Sequence, residues 1–415
     1  MVNMKRYMVI IMFMFTGAFA APSNDISNNN RIDGLRPDAP ELAKPGNYNI
    51  GVRTLNLIHH NQVDVREIGD QPPLPAYDRP LTIEIWYPAH TMEHGTEYQN
   101  VILRDGKTTA TLHGGAVRDA EPLKAGNKFP LIILSHGYPG NRYLMSHFGE
   151  NLASKGYIVA SIDHTDSLYE DATVFSSTLL NRPLDQRFVL STLKGLNTES
   201  GHFLEGIIDT ENTGLIGYSM GGYGAVVNAG AGISEIVATN KDLSPHNVLK
   251  RHQAGSETHE DIVNNDNFNA IIAIGPWGME RGLWDDDGLD GVRIPIMYMA
   301  GSKDTTSGYE KGVKALFEKS VNAERYLLTF ENAGHNAAAP IPAPRESYTG
   351  TYPDSDRPLF GHYADPVWDT VRMNNIAQHY ATAFFDKILK KQSDKAEYLI
   401  QSDKLNGTSF MVIHP

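Results

Sequence analysis

Gly217-Tyr218-Ser219-Met220-Gly221-Gly222 sets a serine between an apolar run, Gly214–Tyr218, and a small-residue stretch that reads as a helix. In that context G-x-S-x-G describes a serine on a sharp strand-to-helix turn. Side chains two residues either side would clash there, and Gly217 and Gly221 leave the space empty. The helix beginning at the turn points its first N–H groups at a carbonyl under attack. A serine hydroxyl needs a base, and the base needs an orienting acid. Such a turn predicts the chain order serine, acid, histidine. Asp304 follows the run Ile294–Ala300 on Gly301-Ser302-Lys303-Asp304, and His335 follows Arg325–Phe330 on Ala333-Gly334-His335. Alone, Asp304 also reads as a turn cap and His335 as one of 16 histidines. Jointly with Ser219 they read as catalytic residues for acyl transfer through serine, chemistry that needs no cofactor.

Acyl transfer also needs two N–H donors for the oxyanion. Met220, the residue after the serine, supplies one. The second is expected from Ser135-His136-Gly137-Tyr138-Pro139-Gly140-Asn141, at Tyr138 N–H. Other clusters are read more plainly. His59-His60 and Asp163-His164-Thr165-Asp166 have no second matching cluster, so structural roles are expected and no metal is assigned. Asp285-Asp286-Asp287-Gly288 with Asp290 lacks the spacing and distal Glu of a calcium loop. It lies upstream of its strand, which ranks it below Asp304 as the acid. Tyr218 reads as packing or pocket wall.

The elements that must position these residues alternate. Val52–Ile58, Leu81–Tyr87, Leu131–Ser135, Tyr157–Asp163, Gly214–Tyr218, Ala270–Gly275, Ile294–Ala300 and Arg325–Phe330 read as strands. Tyr143–Lys155, a helix beginning near Pro183, and Pro366–Lys391 read as helices, with Pro183 in a first turn. This predicts an α/β fold with a mostly parallel central sheet and helices on both faces. Two polar segments, about 231–267 and 336–365, interrupt the pattern and read as lids or binding loops.

The chain has 415 residues and no cysteine. That excludes a thiol nucleophile, a thiolate metal site and any disulfide. With 36 basic and 49 acidic residues the formal charge is −13, unsuited to nucleic acid. Residues 1–20 read as a signal peptide: Lys5-Arg6, an apolar run from Tyr7, then Ala18-Phe19-Ala20. That run is too short to span a bilayer, so export to the periplasm or medium is expected without a stable membrane anchor. Residues 21–45 read as a flexible lead-in and 46–415 as one domain, by default a monomer.

Together these residues resemble the α/β-hydrolase superfamily. Within it they are similar to the dienelactone-hydrolase-related group, which includes platelet-activating-factor acetylhydrolases and bacterial cutinase-like polyester hydrolases. The resemblance runs from about Val52 to Lys391. Tyr138 matches the aromatic oxyanion residue, Met220 the residue after the nucleophile, and Pro276-Trp277 a pair after the next core strand. Asp304 and His335 match the acid and base. Gly156–Asp163 also resembles this group, and Gly51–Leu57 and Leu81–Pro88 resemble the acetylhydrolase branch. The resemblance implies a serine hydrolase acting on small-molecule or lipid esters through an acyl-enzyme, with Trp277 and Tyr138 lining the substrate site. It leaves a phospholipase-type acetylhydrolase or a polyester hydrolase as alternatives. A peptidase, a thioesterase and a non-catalytic binding module rank behind these. The insertions depart from the compact cutinase-like enzymes, and a lid disfavours solid polymer.

Overall fold

The computed structural model describes residues 30–415 except 70–72, 94, 125, 127, 266 and 401–404. The segment read as a signal peptide lies outside the described residues, as do 21–29.

The strands are β1 (Ile50–Val63), β2 (Ala76–His90), β3 (Thr96–Ile102), β4 (Thr109–Gly114), β5 (Val117–Arg118), β6 (Glu121–Pro122), β7 (Phe129–Ser135), β8 (Ile158–Asp163), β9 (Ile208–Tyr218), β10 (Ala270–Ile274), β11 (Ile296–Gly301), β12 (Arg325–Phe330) and β13 (Thr408–Ile413). The main sheet runs β13-β12-β11-β10-β9-β7-β8-β2-β1-β5. Its centre, β12 through β8, is parallel. β13, β2 and β1 add antiparallel edges. Every residue of β7, β8, β10, β11 and β12 is buried, as expected of parallel strands covered on both faces. Leu131 and Ile133 enter one apolar cluster while Ile132 and Leu134 enter the other, the two-residue period of a strand.

The helices are α1 (Ser146–Ala153), α2 (Phe175–Leu196), α3 (Met220–Asn228), α4 (Glu235–Ala238), α5 (Glu257–Asn264), α6 (Asp286–Leu289), α7 (Lys314–Lys319) and α8 (Thr370–Ile388). α2 and α3 cover one face of the sheet, and α1 and α8 the other. Among the described residues no helix is long and apolar enough to cross a membrane.

Three expectations change. Pro183 sits inside α2, not in its first turn. Proline cannot donate to the carbonyl one turn earlier. Tyr223 Oη fills that role, donating to Leu179 O at 2.8 Å. The part of the lead-in that is described, 30–45, is docked rather than loose. Ile32 is buried, Arg36 pairs with Asp369 at 2.6 Å, and Leu42 N donates to His379 Nδ1 at 3.1 Å. The segment 231–267 is not a lid. It folds as α4, a 3-10 stretch (Pro245–His252) and α5, and commits Ile233, Val237, Val248, Leu249 and Ile262 to the α2/α3 side of the core.

Candidate active site

Ser219 follows the last residue of β9 and caps α3 with φ 53° and ψ −111°. Positive φ is costly for a side chain with a Cβ, so the surroundings must impose it. A Cβ on Gly217 would lie 2.1 Å from Gly221 O, and one on Gly221 would lie 1.9 Å from Ser135 O. Only glycine fits either position. The serine is held from both sides: its N–H donates to Ile274 O at 2.8 Å, and its carbonyl accepts from Trp277 N at 3.2 Å.

The three residues expected to carry the chemistry meet in space. Ser219 Oγ is 3.0 Å from His335 Nε2, and His335 Nδ1 is 2.8 Å from Asp304 Oδ2. The carboxylate only accepts, so Nδ1 carries the proton and Nε2 faces the serine as a base. Asp304 also accepts at Oδ1 from Thr306 N (2.8 Å) and Ser307 N (3.0 Å). Burial pushes its carboxyl up, but His335 and these two N–H groups outweigh it and hold it below the usual carboxylate range. Asp304 therefore stays ionised and fixes the imidazole's orientation.

Gly137 lies so close to the serine that a Cβ on it would be 3.3 Å from Ser219 Cβ. This brings the loop carrying Tyr138 beside the first residues of α3, including Met220, whose N–H groups have no partner within the helix. Arg182, on α2, was not anticipated from sequence. It is buried and donates to His136 O and Ser167 Oγ, which anchors the loop that carries Tyr138. Burial lowers its pKa to about 9, leaving it charged at neutral pH.

A cavity of about 340 Å³ opens over Ser219 and His335. Tyr138 and Tyr218 line it, and so do Tyr352, Arg357, His362 and Asp365 from the segment at and beyond 336–365. This second insertion forms the wall, and none of 231–267 does. Trp277 stands behind the wall rather than in it: its ring meets Phe175 edge-on at 5.2 Å, and Phe175 meets Tyr138 at 5.2 Å. Phe175 and Arg104 also escaped the sequence reading, because neither belongs to a motif. The clusters weighed for metals have other partners. Asp163 pairs with Arg142, Asp166 with Arg79, and Asp285 caps α6. Among the described residues no group of metal-ligating side chains is gathered.

The architecture has solved counterparts. A ferulic acid esterase from Streptomyces cinnamoneus superposes with a TM-score of 0.61 at 20% identity, covering 92% of this chain and 99% of that one. With the parallel sheet and the serine on its strand-to-helix turn, that decides the fold. The chain has an α/β-hydrolase fold. The family model for platelet-activating factor acetylhydrolase, isoform II, matches residues 46–200 of this chain, under half of its 415 residues and ending before Ser219. Platelet-activating factor acetylhydrolase of Cavia porcellus is 34% identical over 125 residues, and that of Canis lupus familiaris 30% over 125. The matched stretch is 29% of this chain and only 28% and 27% of those relatives' lengths.

Proposed function

We propose that this chain is a serine esterase that cleaves carboxylic esters through an acyl-enzyme. The supporting observation is the unbroken line Ser219 Oγ–His335–Asp304, at 3.0 and 2.8 Å, opening onto a cavity. His335 Nε2 takes the hydroxyl proton as Ser219 Oγ attacks the ester carbonyl. Asp304 stabilises the resulting imidazolium. The N–H groups of Met220 and Tyr138 hold the oxyanion. His335 then protonates the leaving alcohol, and the acyl group stays on Ser219. Water, deprotonated by His335, attacks this acyl ester, and collapse returns the proton to Ser219 Oγ and frees the acid. No cofactor enters the sequence.

A phospholipase-type acetylhydrolase is the second reading, favoured by the acetylhydrolase match over 46–200. The wall built by the second insertion suits single molecules better than a polymer surface. Lys5-Arg6 and Ala18-Phe19-Ala20 support export, with a mature N-terminus at Ala21 to be read by mass spectrometry.

The test is Ser219→Ala against a chain-length series of 4-nitrophenyl esters, with a fluorophosphonate probe as a second readout. Turnover falls by on the order of 10⁶ and labelling disappears. A folded Ser219→Ala protein that keeps its turnover overturns the assignment. A short-chain sn-2 phospholipid assayed beside matched thioester and amide ranks the bond types.

A further inference from the structure

Two arginines face the cavity from different parts of the chain. Arg104 comes from the turn between β3 and β4, and Arg357 from the second insertion. They flank one ring: the guanidinium carbons lie 5.0 Å and 4.5 Å from the Tyr352 centroid. Arg104 also reaches toward Tyr169, at 6.0 Å. Among the described residues, neither forms an ion pair with a carboxylate. The cavity's acid, Asp365, is committed to loop backbone, accepting from Gly334 N (2.6 Å), Val367 N (2.8 Å) and Trp368 N (2.9 Å). His362, beside Arg104, adds no carboxylate. Its Nε2 meets Tyr169 Oη at 2.8 Å, and burial, then Arg104 and His335, push its pKa down to about 3.

In a chain of net charge −13, a pair of guanidiniums left without acids at the mouth of a nucleophilic cavity is a local reversal of sign. Both guanidiniums stack on Tyr352; Arg357 Nε donates to Ser355 Oγ at 3.1 Å, so its Nη1/Nη2 edge and the Arg104 guanidinium are the donors left without a carboxylate. Such edges match a carboxylate's two oxygens in a bidentate fork. The cavity, about 340 Å³, suits a compact ligand.

We propose that Arg104 and Arg357 bind a second, free carboxylate on the ester substrate, so that the enzyme prefers carboxylate-bearing esters to their neutral counterparts. This rests on the serine-esterase reading and names its substrate class. The anion is bound, not transformed; only the ester bond breaks, as above.

The experiment compares kcat/KM within two matched pairs. Mono(4-nitrophenyl) adipate against its primary amide places the anion on the acyl side. 3-Acetoxybenzoate against 3-acetoxybenzamide places it on the alcohol side. The expected result is a preference of about tenfold or more for the carboxylate in one pair, since hydrogen bonds to charged groups are worth that much. The preference shrinks as salt rises. It collapses toward unity in the Arg104→Gln/Arg357→Gln double variant and is partly kept in Arg104→Lys. Equal turnover within both pairs, or a preference that survives in the double variant, overturns the proposal. So does a phosphomonoester analogue preferred tenfold over the carboxylate. Ser219-dependent turnover of neutral esters without any carboxylate preference removes this inference alone. Absence of turnover on every ester, with Ser219 unlabelled, removes the esterase reading as well.

Discussion

Among the described residues two serine–histidine–aspartate lines stand side by side, one opening onto a cavity and the other buried. Beside Ser219–His335–Asp304 stands Ser135–His164–Asp185. Ser135 Oγ is 2.8 Å from His164 Nε2, and His164 Nδ1 is 2.9 Å from Asp185 Oδ2. The distances and the implied tautomer are those of the first line. The differences lie in three surroundings. Ser135 is an ordinary residue of β7 and fully buried, whereas Ser219 is strained onto its turn. Asp185 is gripped by Arg79 through Nε and Nη2, both at 2.9 Å, whereas among the described residues Asp304 pairs with no arginine or lysine and meets His335 Nδ1 instead. Burial raises the Asp185 carboxyl, but Arg79 and His164 hold it well below the carboxylate range. Its charge is already balanced by Arg79, so it has little left with which to stabilise an imidazolium. Burial, then Arg182, lower the His164 pKa to about 3 and keep it neutral. Hydrogen-bond geometry alone therefore does not define a catalytic line; access, a strained nucleophile and an uncompensated acid do.

What the second line does is brace the site. It ties the ends of β7 and β8 to α2, and through Arg79 to β2. His164 N donates to His136 Nε2 at 3.3 Å, inside the loop that carries Tyr138. The same residue types stand once at an open cavity and once inside a buried brace.

Substitutions can break this contrast. The largest effect after loss of Ser219 is expected from Asp304→Asn, which lowers kcat by on the order of 10⁴ while the unfolding midpoint barely moves. Asp185→Asn acts the other way. It leaves the Arg79 charge buried and half-partnered, and costs about 3–5 kcal/mol of stability in urea unfolding. If Asp185→Asn instead abolished turnover in a fully stable protein, the structural reading of the second line would fail. Ser135→Ala strands His164 Nε2 and costs about 1–3 kcal/mol, with ester turnover of the folded fraction kept within a few fold. A loss of turnover comparable to that of Ser219→Ala would show that the contrast is false.

The smallest effect is in pH. His147 and His164 titrate near 3 in the fold, both chiefly through burial, against an ordinary 6.5. Between those values the unfolded chain binds protons that the native one refuses, so stability rises with pH and is lost as pH falls from 6.5 toward 3. Each group contributes up to about 1.4 kcal/mol per pH unit. Urea midpoints at pH 7 and pH 5 measure the slope, and His147→Leu makes it shallower. An unchanged slope in that variant would mean that His147 is protonated in the fold.

Much of the site was legible because its signals are local. Gly217, Gly221, Asp304 and His335 sit at strand ends, where a run of apolar residues breaks into a glycine-bearing turn. The central strands from Leu131 to Phe330 were legible for the same reason, with boundaries shifted by a residue or two except for β9, which begins six residues earlier, at Ile208, than the run Gly214–Tyr218 indicated. The hairpin β3–β4 and the edge strand β13 were not read, since short strands with polar faces carry little periodic signal. Pro183 misled because a distant tyrosine supplies the hydrogen bond that the proline denies its helix.

The sequence by itself singled out Ser219, Asp304 and His335 as candidates, because each is tied to a turn that only certain residues can make. Only the tertiary structure decided which of two serine–histidine–aspartate lines meets the cavity, which insertion walls it, and that Arg104 and Arg357 converge on Tyr352. Those outcomes depend on burial and on charges brought together from remote parts of the chain, and no local pattern records them.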